Sequence, residues 1–236
     1  MRVLSIDTSH QNGSVAIVVA HASPWRAEVL AAASARVSNA HGESLLPIVE
    51  AMMKSAGLTL AQIDLIAVGI GPGSFTGTRI GVATAKGLAI GAHKPLRGVD
   101  AFAALAADAG ARFGDEVAVA IDARKSEVYL SIASVGEDDV VRVGEPLHAS
   151  PLQAWGRLGH PTIPTHAIGD GAFMVPELQA IARPRIGVAS PRAESIAAIA
   201  GARQLRDPID EVDVLEPLYV RPPDITLPKH KPGMPR

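Results

Sequence analysis

Three short stretches carry residue types that do chemistry. Ile6-Asp7-Thr8-Ser9 places a carboxylate and two hydroxyls at the end of an apolar run, and Ile121-Asp122-Ala123-Arg124 repeats the layout about half the chain later. A carboxylate at a strand end can position a cation and its bound water against an anionic group. Its plainer role is to end the strand and cap the turn through Gln11 to Gly13. Gly71-Pro72-Gly73-Ser74 opens a helix, with Ser74 or Thr76 as N-cap, and the N–H groups of such a turn can hold an anion. It can equally be a tight strand-to-helix connection. It is not a Walker A loop, because no Gly-Lys-Ser/Thr follows, and Gly71, Gly73 and Gly77 are spaced one residue too widely for a dinucleotide fingerprint.

Residue type and spacing exclude other chemistries. The chain has no Cys, hence no thiolate nucleophile, thiolate metal site or disulfide. Its eight His stand at 10, 21, 41, 93, 148, 160, 166 and 230. No two are four apart, the spacing that puts two rings on one helix face to hold a metal, and four residues after His41 comes Leu45. No Gly-x-Ser-x-Gly marks a nucleophile elbow. No catalytic residue and no metal ligand is therefore assigned.

The elements that position these stretches follow from periodicity. Apolar strands are expected at 3–7, 13–20, 28–37 and 64–70. A helix is expected from Glu43 to Ala56, where Leu45, Ile48, Val49, Met52, Met53 and Ala56 share one face and Pro47 falls near the first turn. The glycine turn leads into a helix to about Gly91, and another helix spans 101–111. Residues 117–135 then restart the opening layout: strand, Ile-Asp, turn, strand. The second copy continues with strands at 139–145, 165–169 and 185–189 and helices at 151–158, 173–182 and 191–205. This reads as a duplicated α/β unit. The last stretch, from 217, is rich in Pro and suits neither a sheet interior nor a helix. Its basic residues read as a solvated end or a contact to nucleic-acid phosphates.

Composition bounds the rest. The chain has 236 residues, 47% hydrophobic and only 3% aromatic, enough for one large or two small α/β domains. A net charge of −2 argues against a protein that grips nucleic acid alone. The apolar start is too short for a signal peptide, and no apolar run reaches the length of a membrane span. A soluble cytoplasmic protein is expected.

The stretch from Gly69 to Gly91 holds seven Gly, and each in a helix interior costs roughly 0.5–1 kcal/mol relative to Ala. A phosphate site needs glycines only at the turn. Gly77, Gly81 and Ala85 repeat every four residues, with Thr84, Gly87 and Gly91 on an adjoining stripe, so close approach of another backbone explains more of the pattern. That backbone can be the chain's own or a second protein's.

Two strand–Asp hairpins opening two α/β halves resemble the plan of the actin, Hsp70 and sugar-kinase superfamily, whose ribonuclease-H-like halves bind ATP in the cleft between them. Several motifs carry a closer resemblance: IDTS at 6–9, HGESLLPIVEAM at 41–52, GPGSFTG-R-IG at 71–81, AKGLA at 85–89, IDAR and EVY at 121–129, IGDGA at 168–172 and EPLYVRPP at 216–223. In this order they resemble the TsaB (YeaZ) family of tRNA threonylcarbamoyladenosine biosynthesis proteins. The resemblance implies two ribonuclease-H-like (actin-like) halves, each a mixed sheet with flanking helices, at 1–100 and 101–216, followed by a Pro-rich basic tail at 217–236. It implies a non-catalytic subunit of the complex that modifies the adenosine beside the anticodon. The partners implied are TsaD and, in the ternary complex, TsaE, with a homodimer when alone, tRNA reached only through the complex, and no membrane. The implied partner interface is His41, Leu45, Val49, Met52, Met53, Gly77, Gly81, Ala85 and Lys86. Asp7, Thr8, Gly71, Gly73 and Ser74 correspond to a degenerate nucleotide site, weak for ATP or ADP, with no cofactor required. Arg124 stands where an ATPase of this plan has Gly, so backbone approach to phosphates is obstructed. An actin-fold ATPase or kinase-like enzyme, or a glycoprotease-like peptidase, is the alternative.

Overall fold

The computed structural model describes residues 1–36, 41–181 and 190–221. Among the described residues, nine strands form two mixed sheets. The first is ordered β3-β2-β1-β4-β5, from β1 (Arg2–Asp7), β2 (Asn12–Val19), β3 (Glu28–Arg36), β4 (Leu65–Gly69) and β5 (Leu96–Val99). The second is ordered β8-β7-β6-β9, from β6 (Glu116–Arg124), β7 (Glu127–Val135), β8 (Val140–Ala149) and β9 (His166–Ile168). In each, two antiparallel pairs give way to a parallel neighbour of the leading strand: β1 with β4, and β6 with β9. Parallel neighbours need crossover helices on the sheet faces. These are α1 (His41–Ser55) and α2 (Phe75–Ala92) on the first sheet and α4 (Pro151–Leu158) on the second, where the short α5 (Pro176–Gln179), which follows β9, packs beside α4.

The inner strands of both sheets are buried on both faces, which is why the leading strands read as unbroken apolar runs, while the edge strands β3 and β8 are mostly exposed or half-buried. Side chains alternate across a strand. Val3, Ala16, Val18, Leu65 and Ala67 therefore face one way, toward α3 (Ala101–Ala107) and α6 (Ala193–Arg206). Leu4, Ile6, Val15, Ile17, Ile66 and Val68 face the other way, toward α1 and α2. The second sheet sends Val117, Val119 and Ile121 to the same central layer and Ala118, Ala120 and Leu130 to α4 and α5. The order of layers is helices, sheet, helices, sheet, helices.

The middle layer crosses over. Helix α3 follows the first sheet in sequence but packs on β6, β7 and β8, while α6 follows the second sheet and packs on β1, β2 and β4. Ser5 Oγ donates to the Ala193 carbonyl, and Ser14 Oγ accepts from the Ala193 N–H. Arg192 and Ser195 both hydrogen-bond the Asp108 carboxylate just past the end of α3, tying the two crossing helices together.

Local differences from the sequence reading have local causes. Besides the 3₁₀ turns Pro24–Arg26 and Leu60–Gln62, strand β5 is left unassigned there. It is four residues long, with Arg97 and Gly98 interrupting its apolar pattern. Arg97 is buried nonetheless, donating to Gln204 and to the Asp207 carbonyl. The helix expected at 173–182 is a 3₁₀ turn, Ala172–Met174, followed by the one-turn α5. Pro176 breaks it, because the residue before a proline is pushed to extended backbone, here Val175 at φ −91° and ψ 114°. The strand expected at 185–189 and the tail beyond residue 221 lie outside the described residues.

Candidate functional site

The first candidate is the turn after β1. Asp7 and Thr8 are fully buried there, and α2 closes over them through its glycines. A Cβ on Gly73 would collide with the Ser9 carbonyl, one on Gly77 with the Thr8 carbonyl, and one on Gly81 with Thr8 Oγ1. The same contacts are hydrogen-bonded. Ser74 N–H donates to the Ser9 carbonyl at 2.6 Å, and Thr8 Oγ1 donates to the Gly77 carbonyl at 2.7 Å. Gly71, at φ +85°, passes the chain into this contact and accepts from the Ala101 N–H. The groups that would cradle a triphosphate are bonded to each other, and Asp7 is sealed from solvent. The residues present do not fit a nucleotide's phosphates on this turn.

That packing answers which backbone the glycines admit. Gly77, Gly81 and Ala85, expected at a partner interface, are buried against the chain's own β1 turn and first sheet. Leu45, Val49 and Met53 are likewise core residues of that layer, and Met52 packs against its edge, half-buried. The heptad-like face that suggested a partner is the face the sheet needs. His41 begins α1, and its side chain lies outside the described residues; Lys86 is half-buried. The surface of the pair is the opposite side. Leu46 is 52% exposed and Ile90 62%, with Ala51, Ala83, Gly87 and Gly91 also exposed. A Cβ on Gly87 or Gly91 would meet nothing within 4 Å. The unexplained glycines are therefore these two, on the stripe that adjoins the buried one.

A cluster that the sequence reading did not assemble sits beneath the same turn. Ser9 Oγ donates to Asp7 Oδ1 at 2.8 Å and lies 2.8 Å from His10 Nδ1. Among the described residues, Asp7 Oδ2 and His10 Nε2 are buried without a hydrogen-bond partner. Burial pushes the Asp7 carboxyl up to about 7, against the Ser9 hydrogen bonds that favour its charge. Burial also pushes the His10 imidazole down to about 4, helped by the nearby Arg124 charge. The trio holds the residue types of a serine hydrolase in the wrong order. Ser9 stands between Asp7 and His10, whereas a triad needs the imidazole between hydroxyl and carboxylate. Polar residues at positions 7, 9 and 10 of a turn carry no periodic signal, so only the folded turn reveals their contact.

The second hairpin presents a different face. Asp122 Oδ1 accepts from the Arg124 N–H at 2.7 Å, and Asp170 Oδ1 accepts from the Asp122 N–H at 2.8 Å. Arg124, Lys125 and Ser126 all adopt left-handed backbone, at φ 66°, 52° and 59°. Between this turn and the start of α2 lies a cavity of about 360 Å³, closed on a third side by Leu218–Arg221. The closing segment reaches both halves. The Leu218 N–H donates to the Ile70 carbonyl, the Tyr219 hydroxyl accepts from Arg79 Nε at 2.7 Å, and Arg221 donates to Glu127 at 3.1 Å. Among the described residues no helix is long and apolar enough to cross a membrane.

Comparison with known proteins agrees with this geometry. Residues 33–162 match the family TsaD: tRNA N6-adenosine threonylcarbamoyltransferase. The chain is 39% identical over 130 residues to the tRNA threonylcarbamoyladenosine biosynthesis protein TsaB of Escherichia coli K12, an alignment covering 55% of this chain and 53% of that protein. It is 36% identical over 132 residues to TsaB of Haemophilus influenzae, covering 56% and 53%. The match thus spans about half the length of these curated relatives. The solved structure of YeaZ from Pseudomonas aeruginosa superposes with a TM-score of 0.69 at 27% identity, over 92% of this chain and 99% of that one. A two-half, actin-like architecture with these motifs in this order is the TsaB/YeaZ arrangement, and the chain belongs to the TsaD family of tRNA N6-adenosine threonylcarbamoyltransferase proteins.

Proposed function

We propose that the chain is a non-catalytic subunit of the assembly that adds a threonylcarbamoyl group to the adenosine beside the anticodon of tRNAs reading codons that begin with A. Its task is to bind and activate a TsaD-type transferase, with TsaE as the third component. The observation that carries this reading is the closed β1 turn. Asp7, Thr8 and Ser74 are hydrogen-bonded within the chain and Gly73 lies against the Ser9 carbonyl, while Leu45, at the second position of the helix pair that would hold a metal, is core. The test is direct. The purified chain, given threonylcarbamoyl-adenylate and tRNA, should yield no modified adenosine, and TsaD with TsaE should restore the product. Modification by this chain alone overturns the assignment.

The docking face is the exposed side of α1 and α2, where Leu46, Ala83, Gly87, Ile90 and Gly91 combine two large apolar side chains with small residues that admit a helix backbone. Without TsaD the same face pairs two copies. Gly87→Leu should weaken TsaD binding roughly 5- to 150-fold, the equivalent of about 1–3 kcal/mol of overpacking. At concentrations where the isolated chain is monomeric it should leave the melting temperature unchanged or higher, because leaving Gly gains up to about 1 kcal/mol of helix propensity and the space within the chain is open. A titration with unchanged affinity removes this face from the interface.

A further inference from the structure

We propose that the cavity between α2 and the second hairpin binds a single-stranded RNA segment, one phosphodiester lodged against its cations and the neighbouring base stacked on its aromatic ledge. This rests on the tRNA-modification reading above. The chain's net charge is −2, yet among the described residues Arg124, Lys125 and Arg221, the last paired with Glu127, line the cavity and no carboxylate does. Arg124, its side chain 64% exposed, meets Asp122 only at 3.4 Å, leaving guanidinium N–H groups toward solvent. The ledge is Phe75 and Tyr219, rings 5.5 Å apart and 43% and 42% exposed. Arg79 lies over Phe75 at 3.8 Å from the ring centre and is not itself a lining residue, so a further cation adjoins the ledge.

Stacking faces alternating with backbone-reading cations are what a nucleic-acid strand needs. A volume of about 360 Å³ takes one nucleotide unit. Three features favour a strand over a free nucleoside triphosphate. The turn that would take further phosphates is closed by Ser74 on Ser9. No carboxylate in the lining offers a place for their magnesium ion. The track extends past one unit, to Arg79. An acidic peptide would use the cations but bring no base to stack on the exposed edge of the Phe75–Tyr219 ledge.

The probe is a fluorescein-labelled octamer of uridylate, titrated by anisotropy with the full chain at low salt. Binding should weaken about tenfold in Arg124→Glu and in Lys125→Glu, with the salt dependence falling by about one ion per cation removed. Phe75→Ala should weaken it about tenfold with the salt dependence intact. Thermal melts confirm that each variant is folded; these positions are exposed. No binding by the unaltered chain, equal binding by the variants, or equal competition from poly-glutamate overturns the proposal. Competition by AMP or by ATP with magnesium at the concentration of oligonucleotide phosphate also overturns it, in favour of a nucleotide pocket. A parallel titration of the unaltered chain with TsaD separates the two failures. TsaD bound and RNA not bound removes only this inference, whereas no TsaD binding removes the reading on which it rests.

Discussion

Gly77→Ala is expected to destabilise the isolated chain by about 3 kcal/mol, at the upper end of overpacking costs, lowering Tm by roughly 6–12 °C at this chain length. The added methyl collides with a backbone atom, the Thr8 carbonyl, which cannot rotate away. Yielding would separate α2 from the β1 turn and break the Thr8 Oγ1–Gly77 carbonyl and Ser74 N–H–Ser9 carbonyl hydrogen bonds together. Gly81→Leu meets a side-chain atom, Thr8 Oγ1, and should cost about 2 kcal/mol. Gly87→Ala, with open space before it, should gain up to about 1 kcal/mol. One helix and one residue type thus give opposite signs at two positions ten residues apart, measurable by urea titration. Equal effects at the two positions would contradict the packing of α2 on the turn.

The glycine helix also marks where sequence reasoning stops. Periodicity located α2 and ranked close packing above a phosphate site, because Gly81, Gly87 and Gly91 lie beyond any turn. It could not say which stripe faces inward. Both stripes are small, and the inward face is fixed by Thr8, a residue 69 positions before Gly77. The duplicated strand–Asp layout was legible because β1 and β6 are apolar runs ending in a carboxylate, each paired with a following antiparallel strand. The exchange of α3 and α6 between the halves was not, since a buried Ala-rich helix carries no label for the sheet it covers. Arg124 was read as an obstruction to phosphates. In the structure the same side chain lines the cavity, and its position depends on a left-handed turn at non-glycine residues, which spacing does not forecast.

The buried trio under the turn should leave a pH signature visible only when one member is removed. Asp7 folds with its pKa raised to about 7 from 3.8, so folding favours its neutral form. Its contribution is fully present below pH 3.8 and is lost as pH rises to about 7, by about 4 kcal/mol at about 1.4 kcal/mol per pH unit. His10 folds with its pKa lowered to about 4 from 6.5, so its contribution is fully present above pH 6.5 and is lost as pH falls toward 4, by about 3 kcal/mol. Between pH 4 and 6.5 the two slopes oppose each other and nearly cancel. Asp7→Asn removes one slope while keeping the shape. Its stability relative to the unaltered chain should rise by up to about 4 kcal/mol between pH 4 and 7.5. His10→Asn keeps a polar atom near Ser9 and removes the other slope, so its relative stability should rise by up to about 3 kcal/mol as pH falls from 7 to 4. Each comparison is a difference between two chains with all other titrating groups in common, so the remaining carboxylates and imidazoles drop out. Parallel urea-unfolding profiles for the unaltered chain and Asp7→Asn across this range would mean that Asp7 is ionised in the folded protein. A partner for its Oδ2 would then have to exist in solution, and the turn could hold a cation after all.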